Sequence, residues 1–166
     1  MKRILFTLFA GAVMLASCSQ SNEYVIYGTV TNPDLEGAQV FLVPLENPVK
    51  ETIDSVYIKN QMFEFRGNEE KMADIRIERF KRLGNENLLV ITEPGETYVT
   101  IGPVSSSRGT PQNDSLQVWK NLTKQYYNKE MSREVYIERT RHMAKKLGAE
   151  STLGAFLNSR FPEKSK

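Results

Sequence analysis

Short runs of β-branched and aromatic residues, separated by turn-forming residues, fill residues 24–102 of this 166-residue chain. Runs of this length and composition are typical of β-strands. The run at residues 73–80 alternates almost strictly, so that Ile75 and Ile77 share one face and charged side chains share the other. About seven such runs with turns between them predict an antiparallel β-sandwich or a partial barrel.

A hairpin is the clearest local feature among these strands. Residues 52–58 and 62–66 are two strand-like runs separated only by Lys59-Asn60-Gln61, a connection short enough for a hairpin loop. Farther along, Glu93-Pro94-Gly95-Glu96 predicts a turn, because proline fixes φ and glycine accepts positive φ.

The spacing of apolar residues becomes helical after a loop at residues 103–112. Leu116, Trp119, Leu122 and Tyr126 recur at the spacing of one helix face. Helix starts are expected at the following capping residues: Asn113 or Asp114, then Ser132, then Ser151 or Thr152.

The N-terminus has the pattern of a bacterial export signal. Lys2 and Arg3 precede an apolar run that is shorter than the ~20 residues of a membrane-spanning helix. Leu15-Ala16-Ser17-Cys18 resembles the lipobox of bacterial lipoproteins, which implies cleavage before Cys18 and a diacylglycerol thioether on that residue. An ordinary signal peptide that happens to end near a cysteine is the alternative. Polar residues directly after the run argue against a short anchor helix or a buried core helix.

These patterns predict a single domain behind an anchor. The predicted segments are a signal peptide (1–17), a lipidated tether (18–23) and one α+β domain (24–166), which divides into a β-rich part (24–102), a loop (103–112) and a part with two or three helices (113–166). A domain of this size can bury one sizeable core. It must rely on that core, because lipidation of Cys18 uses the chain's sole cysteine and leaves none for a disulfide.

The residues of common catalytic and metal sites are sparse in this sequence. One histidine, His142, and one cysteine cannot form a common type of zinc site. There is no CxxC pair, no G-x-S-x-G elbow and no glycine-rich phosphate loop. We therefore predict no catalytic residue, no cofactor and no metal site, and we assign Cys18 as the one site residue, through lipid attachment.

Several side chains have both a chemical and a structural interpretation. Glu69-Glu70, and Glu93 with Glu96, are candidate acid–base pairs or calcium ligands, although carboxylates in turns are usually solvated. Trp119 with Tyr126 and Tyr127 is a candidate ligand platform, but their helical spacing favours a stripe that docks the helix on the sheet.

The charge distribution gives no case for nucleic acid binding. The formal net charge of +2 becomes neutral once Lys2 and Arg3 leave with the signal peptide. Acidic residues outnumber basic ones in residues 18–113, and the reverse holds in residues 114–166. This split indicates either surfaces that face a partner or, more simply, solvated helix faces.

Two tripeptides resemble the O-glycosylation sequon of exported proteins in one Gram-negative phylum. They are Asp54-Ser55-Val56 and Asp114-Ser115-Leu116. Patterns this short often occur by chance, so glycosylation of either is left open.

An ordered set of short motifs resembles a β-rich domain of unknown function from exported Gram-negative lipoproteins. The motifs are Tyr27-Gly28-Thr29-Val30, Val40-Phe41-Leu42, Ile53-Asp54-Ser55-Val56, Met62-Phe63-Glu64-Phe65, Glu93-Pro94-Gly95-Glu96 and Gly109-Thr110-Pro111-Gln112-Asn113. In that family the domain usually precedes a thioredoxin-like domain of the peroxiredoxin or thiol–disulfide oxidoreductase type, which is absent from this sequence. The family also prefers Asn-Gly where this chain has Asn60-Gln61, which predicts a longer or strained turn.

The resemblance implies a lipid-anchored, non-enzymatic domain of the cell envelope. We expect it to bind another envelope protein, with a redox protein as the suspected partner. We also expect it to face the periplasm from the outer membrane, since Ser19 replaces the aspartate that retains lipoproteins in the inner membrane. The alternatives are an envelope hydrolase with an unrecognised site, or a glycan- or lipid-binding module using exposed aromatics such as Tyr24, Tyr98 or Tyr127.

Overall fold

The computed structural model of the chain describes residues 22–78 and 87–162. These residues form eight strands followed by three helices. The elements are β1 (Tyr24–Val30), β2 (Gln39–Pro44), β3 (Asp54–Tyr57), β4 (Met62–Gly67), β5 (Met72–Ile77), β6 (Leu88–Ile91), β7 (Gly95–Ile101), β8 (Ser106–Arg108), α1 (Pro111–Tyr127), α2 (Arg133–Leu147) and α3 (Thr152–Arg160). The predicted α+β class, with strands first and helices last, is confirmed.

The strands form two four-stranded sheets. Sheet A has the order β4-β1-β7-β8, and sheet B has the order β3-β2-β5-β6. Neighbouring strands are antiparallel except β1 and β7, which run parallel with Tyr24 beside Gly95 and Val30 beside Ile101. This pair differs from the antiparallel arrangement predicted, because alternation identifies strands but does not determine which strands pair.

The main core lies between the two sheets. Alternate residues of both sheets point into it, including Ile26, Val40 and Val99. Ile75 and Ile77 belong to the same cluster, as their alternation predicted. A second cluster lies on the opposite face of sheet B, where Met72 and Ile91 pack against residues of all three helices. The helices therefore cover the outer face of sheet B.

Strand β8 was missed by the sequence analysis. Ser106-Ser107-Arg108 lies in the segment predicted as a loop, and it has no β-branched or aromatic residue to signal a strand. It forms a strand because it pairs with β7, with Ser107 opposite Val99. Gly95 and Glu96, predicted to lie in a turn, begin β7 instead.

The helix boundaries agree with the capping residues in two of three cases. Ser132 caps α2 and Ser151 caps α3 through their side chains, as predicted. The prediction that Asn113 or Asp114 caps α1 was wrong, because the helix begins at Pro111 with Thr110 as its cap residue. Proline is favoured at the first helical position, where an N–H group has no intrahelical partner.

The predicted tight connection between β3 and β4 is confirmed, but the two strands do not pair as a hairpin: β3 lies in sheet B and β4 in sheet A, and a single bridge joins Lys59 to Met62. The loop is tight rather than long: Lys59 N–H donates to Met62 O (2.9 Å), and Met62 N–H donates to Lys59 O (3.0 Å). Asn60 and Gln61 have φ values of 53° and 58°, the left-handed conformation of a type I′ turn. Both carboxylate oxygens of Glu36 accept the main-chain N–H groups of these two residues (2.8 and 3.0 Å), which stabilises the strained turn.

Candidate functional site

Cys18, the predicted lipid attachment site, lies outside the residues that the structure describes, as do the signal peptide at 1–17 and most of the tether at 18–23. Among the helices of residues 22–78 and 87–162, none combines the length and apolar character that crossing a bilayer requires. Within the same two ranges, no group of three or more His, Cys, Asp or Glu side chains is placed to hold a metal ion.

The motif 109–113 and Glu93 form a buried polar network at the start of α1. Asn113 is fully buried, and its side-chain amide exchanges two hydrogen bonds with the main chain of Ile91 (3.0 and 2.7 Å). It also donates to Thr110 Oγ1 (2.8 Å). Glu93 Oε1 accepts the N–H groups of Gln112 (2.7 Å) and Asn113 (3.0 Å), where an anion complements the helix dipole. These motifs therefore dock α1 on the sheets.

The other candidate carboxylates also have structural partners. Glu69 pairs with Lys71 (2.7 Å). Glu70 Oε1 accepts from the Gln112 side chain (2.7 Å) and the Thr152 hydroxyl (2.6 Å), linking the β4–β5 turn to α1 and α3. Glu96 accepts the hydroxyl of Tyr98 (2.6 Å). The structure thus separates Glu93 and Glu96 into different interactions and does not bring them together as an acid–base pair.

Lys120 makes a contact with a nucleophilic side chain that the sequence did not suggest. Its Nζ lies 3.1 Å from Ser107 Oγ and 3.1 Å from Leu89 O, so it links α1 to both sheets. Burial lowers the pKa of Lys120 to about 8, although nearby Asp74 acts in the opposite direction. A serine beside a lysine of lowered pKa is an arrangement used in acyl transfer. However, Ser107 is only 2% exposed, so its hydroxyl is closed to a substrate.

The aromatic residues of the helices belong mainly to the helix packing. Trp119 makes an edge contact with Phe156, and Tyr126 stacks on Tyr136 at 4.7 Å between ring centroids. Tyr127 is the exception, with 76% of its surface exposed. The stripe predicted to dock the helix on the sheet is confirmed for Trp119, which lies in the cluster on sheet B, whereas Tyr126 packs against α2 instead. His142 is exposed on α2.

The helix cluster leaves the outer face of sheet A open. Tyr27 on β1 and Tyr98 on β7 are register partners whose rings stack at 5.5 Å with an angle of 25°. Exposed charged side chains flank this pair, Glu64 on β4 and Arg108 on β8. Tyr98 is 44% exposed, whereas Tyr24, the other candidate on these strands, is buried at 5%. Tyr98 was a candidate from the sequence but Tyr27 was not, because their contact depends on the parallel pairing of distant strands.

A groove of about 530 Å³ lies beside this face, between β3 and β4. Its lining includes Tyr27, Val56, Tyr57 and Met62. Tyr57 and Met62 are 59% and 54% exposed, which is high for large apolar side chains. Large exposed apolar groups that lie together often mark an interaction site.

A second groove, of about 720 Å³, lies between the β2–β3 loop, the β4–β5 turn and α3. Its lining combines acidic side chains, such as Glu46 and Glu69, with apolar ones, such as Leu45 and Phe156. Glu69 and Glu70 are already engaged by Lys71, Gln112 and Thr152, as described above.

A protein-family model described as "Domain of unknown function (DUF4369)" matches residues 24–116. The match covers all eight strands and the first turn of α1, including the buried Asn113. It confirms the predicted resemblance to a β-rich domain of unknown function. No curated protein and no solved structure matches the chain.

Proposed function

Because this chain belongs to the DUF4369 family, a domain of unknown function, we propose its role from its surfaces: it is a lipid-anchored, non-catalytic binding domain of the cell envelope. The open face of sheet A, centred on Tyr27 and Tyr98, contacts another envelope protein. A separately encoded thiol–disulfide oxidoreductase is the partner that the family resemblance favours.

The observation that carries this proposal is the unequal covering of the two sheets. All three helices pack on sheet B, whereas sheet A carries a stacked aromatic pair, an exposed Tyr98 and a partly exposed Tyr27, with charged side chains on either side. Tyrosine offers a large contact area at a low cost in conformational entropy, and it is enriched at protein interfaces. The flanking Glu64 and Arg108 give such a face a polar, charged rim.

The anchoring part of the proposal depends on Cys18. A lipid on Cys18 would hold the domain at the outer membrane facing the periplasm, and β1 begins only six residues later, at Tyr24. Stable anchoring requires more than one acyl chain, which a lipoprotein-type modification supplies. Confinement to the membrane surface would keep the open face close to partners in the same compartment.

Site-specific photo-crosslinking tests the binding surface. A photoreactive phenylalanine would replace Tyr98 in the full chain produced in a Gram-negative host that carries the native envelope proteins. The same replacement at Tyr127, which is exposed on α1, is the matched control. We expect one discrete adduct from position 98 that is lost when Tyr27→Ala is added, and none from position 127. Identical adducts from both positions, or none from position 98, would reject the proposal.

A hydrolase is the second candidate: the contact between Ser107 and Lys120 favours it, and the burial of Ser107 counts against it. Its test is labelling of the full chain by a fluorophosphonate probe, with Ser107→Ala as the control. The binding-domain proposal predicts no labelling that depends on Ser107. A glycan- or lipid-binding module is the remaining alternative. Binding of the full chain to a saccharide or lipid array, lost when Tyr98 is replaced, would favour that alternative over a protein partner.

A further inference from the structure

The structure points to a second binding surface, at the edge of sheet A. We propose that β4 of one copy pairs with β4 of a second copy, antiparallel and centred on Phe65, so that the two A sheets become one continuous sheet. This inference goes beyond the proposed function, since it concerns a second copy of the chain and holds whether or not the Tyr27–Tyr98 face binds another protein.

The hydrogen-bonding register of β4 determines which main-chain groups face β1. Val30 N–H donates to Gln61 O at 2.9 Å. Hydrogen-bonded pairs recur at every second residue of an antiparallel ladder. Phe63 and Phe65, which lie opposite Gly28 and Ile26, therefore point their main-chain groups toward β1.

The intervening residues of β4 point their main-chain groups away from the sheet. Glu64 and Arg66 alternate with Phe63 and Phe65, so their N–H and C=O groups lie along the outer edge. Among the described strands, pairing on this side of β4 is limited to the bridge between Lys59 and Met62 in the turn that precedes β4. Four main-chain groups thus present the donor and acceptor pattern that an added strand satisfies.

The charges along the outer edge of β4 complement those of a second β4 that runs antiparallel to it. Antiparallel pairing centred on Phe65 places Glu64 opposite the partner's Arg66, and Arg66 opposite the partner's Glu64. Both pairs are of the hydrogen-bonded type, so the main chains exchange four hydrogen bonds. Glu64 and Arg66 already contact each other within one chain, and the two-fold axis would join both pairs into one cluster of alternating charge.

Neighbouring registers are disfavoured by the same charges. A two-fold axis centred on Glu64 would bring two glutamates together, and one centred on Arg66 would bring two arginines together. Like charges placed directly opposite each other destabilise a strand pair. The sequence of β4 therefore selects the register centred on Phe65, and an isologous interface of this kind closes as a dimer rather than growing into a fibre.

Apolar surface beside the edge adds to the contact. The groove between β3 and β4 runs along this side of the molecule, and it exposes Tyr57 and Met62. A strand added to β4 would cover part of both side chains. Glu64 and Arg66 would lie beside the two-fold axis, with this apolar surface farther out along the strand.

Charge reversal on β4 tests the proposed dimer. Dimerisation of the full chain is measured by sedimentation in an excess of density-matched detergent. The wild-type chain is expected to dimerise with a Kd between about 1 μM and 1 mM. Glu64→Arg and Arg66→Glu each place like charges opposite each other twice, so each variant alone should dimerise at least about tenfold more weakly. An equimolar mixture of the two variants, and the double variant, should associate again, because each restores opposite charges across the axis.

A second measurement uses only the wild-type chain, so it tests the dimer even if a variant folds poorly. In the wild-type chain, amide hydrogen exchange at Glu64 and Arg66 should slow as concentration rises, whereas exchange at Ser106 on the opposite edge strand should not change. A monomer throughout the accessible concentration range, or two single variants that fail to associate on mixing while both are folded, would overturn the inference. Equal dimerisation of all variants would also overturn it, by placing the interface elsewhere.

Discussion

The side-chain amide of Asn113 pairs with the main chain of Ile91 as a neighbouring strand would. Its Oδ1 accepts the Ile91 N–H (3.0 Å), and its Nδ2 donates to the Ile91 carbonyl (2.7 Å). Asn113 thereby supplies hydrogen-bond partners to both main-chain groups of Ile91 in β6, and this pairing fixes the first turn of α1 to sheet B.

Replacing Asn113 by alanine should destabilise the fold by about 2–4 kcal/mol, because it leaves several buried polar groups without partners. Chemical denaturation of the folded chain measures this change. Asn121→Ala, at an exposed position of the same helix, should change the free energy of unfolding by less than about 0.5 kcal/mol. Equal effects at the two positions would show that the buried pairing with Ile91 is unimportant.

Gln61 holds a left-handed conformation, with φ of 58°, that glycine adopts without strain. Gln61→Gly should therefore stabilise the chain by about 1 kcal/mol, which thermal or chemical denaturation can detect. Gly37 provides the converse control, since its φ is +74° and a Cβ there meets no atom within 4 Å. Gly37→Ala should destabilise the chain by a similar amount through backbone conformation alone. Changes of opposite sign in the free energy of unfolding of the two variants are the diagnostic result.

Glu36 should make stability depend on acid pH. Two main-chain N–H groups, from Gln61 and Asn60, hold the pKa of its carboxylate below the ordinary value of 4.5. Since the folded-state pKa is the lower one, the stabilisation is complete above pH 4.5 and is lost as pH falls through the folded-state pKa. Glu36→Gln should remove this part of the stability profile, while Glu46→Gln, on an exposed loop, should leave it in place.

Lys120 should also make stability rise with pH, but in the alkaline range. Burial lowers its pKa from 10.5 to about 8, so between these values the unfolded chain binds more protons than the folded one. Stability should therefore rise with pH across that window. Lys120→Met should flatten the rise, whereas Lys124→Met, one turn later and exposed, should retain it. A wild-type profile that matches the Lys120→Met profile between pH 8 and 10.5 would contradict the assignment.

Cys18→Ser should release the protein from the membrane fraction if lipid on this residue provides the anchor. A serine hydroxyl lacks the reactive thiolate that forms the thioether. Detergent phase partitioning of wild-type and mutant chains from the same host measures the effect. Ser17→Ala keeps a small residue before the cysteine and should leave partitioning unchanged. Wild-type partitioning of the Cys18→Ser chain would reject the lipid anchor.

The features of the fold that could be predicted were those encoded by nearby residues. The alternation around Ile75 and Ile77 identified a core-facing strand, and Ser132 and Ser151 identified two helix starts. The start of α1 was misplaced because its cap is completed by Glu93, which is distant in sequence. Strand β8 was missed because only its pairing with β7 makes it a strand.

The candidate binding surface was predictable only in part, for the same reason. Tyr98 was recognised as one of several aromatics available to a ligand, but nothing in its local sequence distinguished it from Tyr24, which is buried. Its partner Tyr27 comes from a strand 71 residues away, and their stacking depends on the parallel register of β1 and β7. The lipid site at Cys18 was inferred from the lipobox resemblance and stays a prediction.

The parallel pairing of β1 and β7 also bears on how fast the chain folds. The two central strands of sheet A meet across 71 residues, and all the described residues of sheet B lie between them in sequence. Contacts this distant raise the contact order and slow folding, because a long loop must close before they form. Sheet A cannot be completed until β7 is available to pair with β1. The helices α2 and α3, whose mutual contacts are local, are expected to matter more for the rate of unfolding.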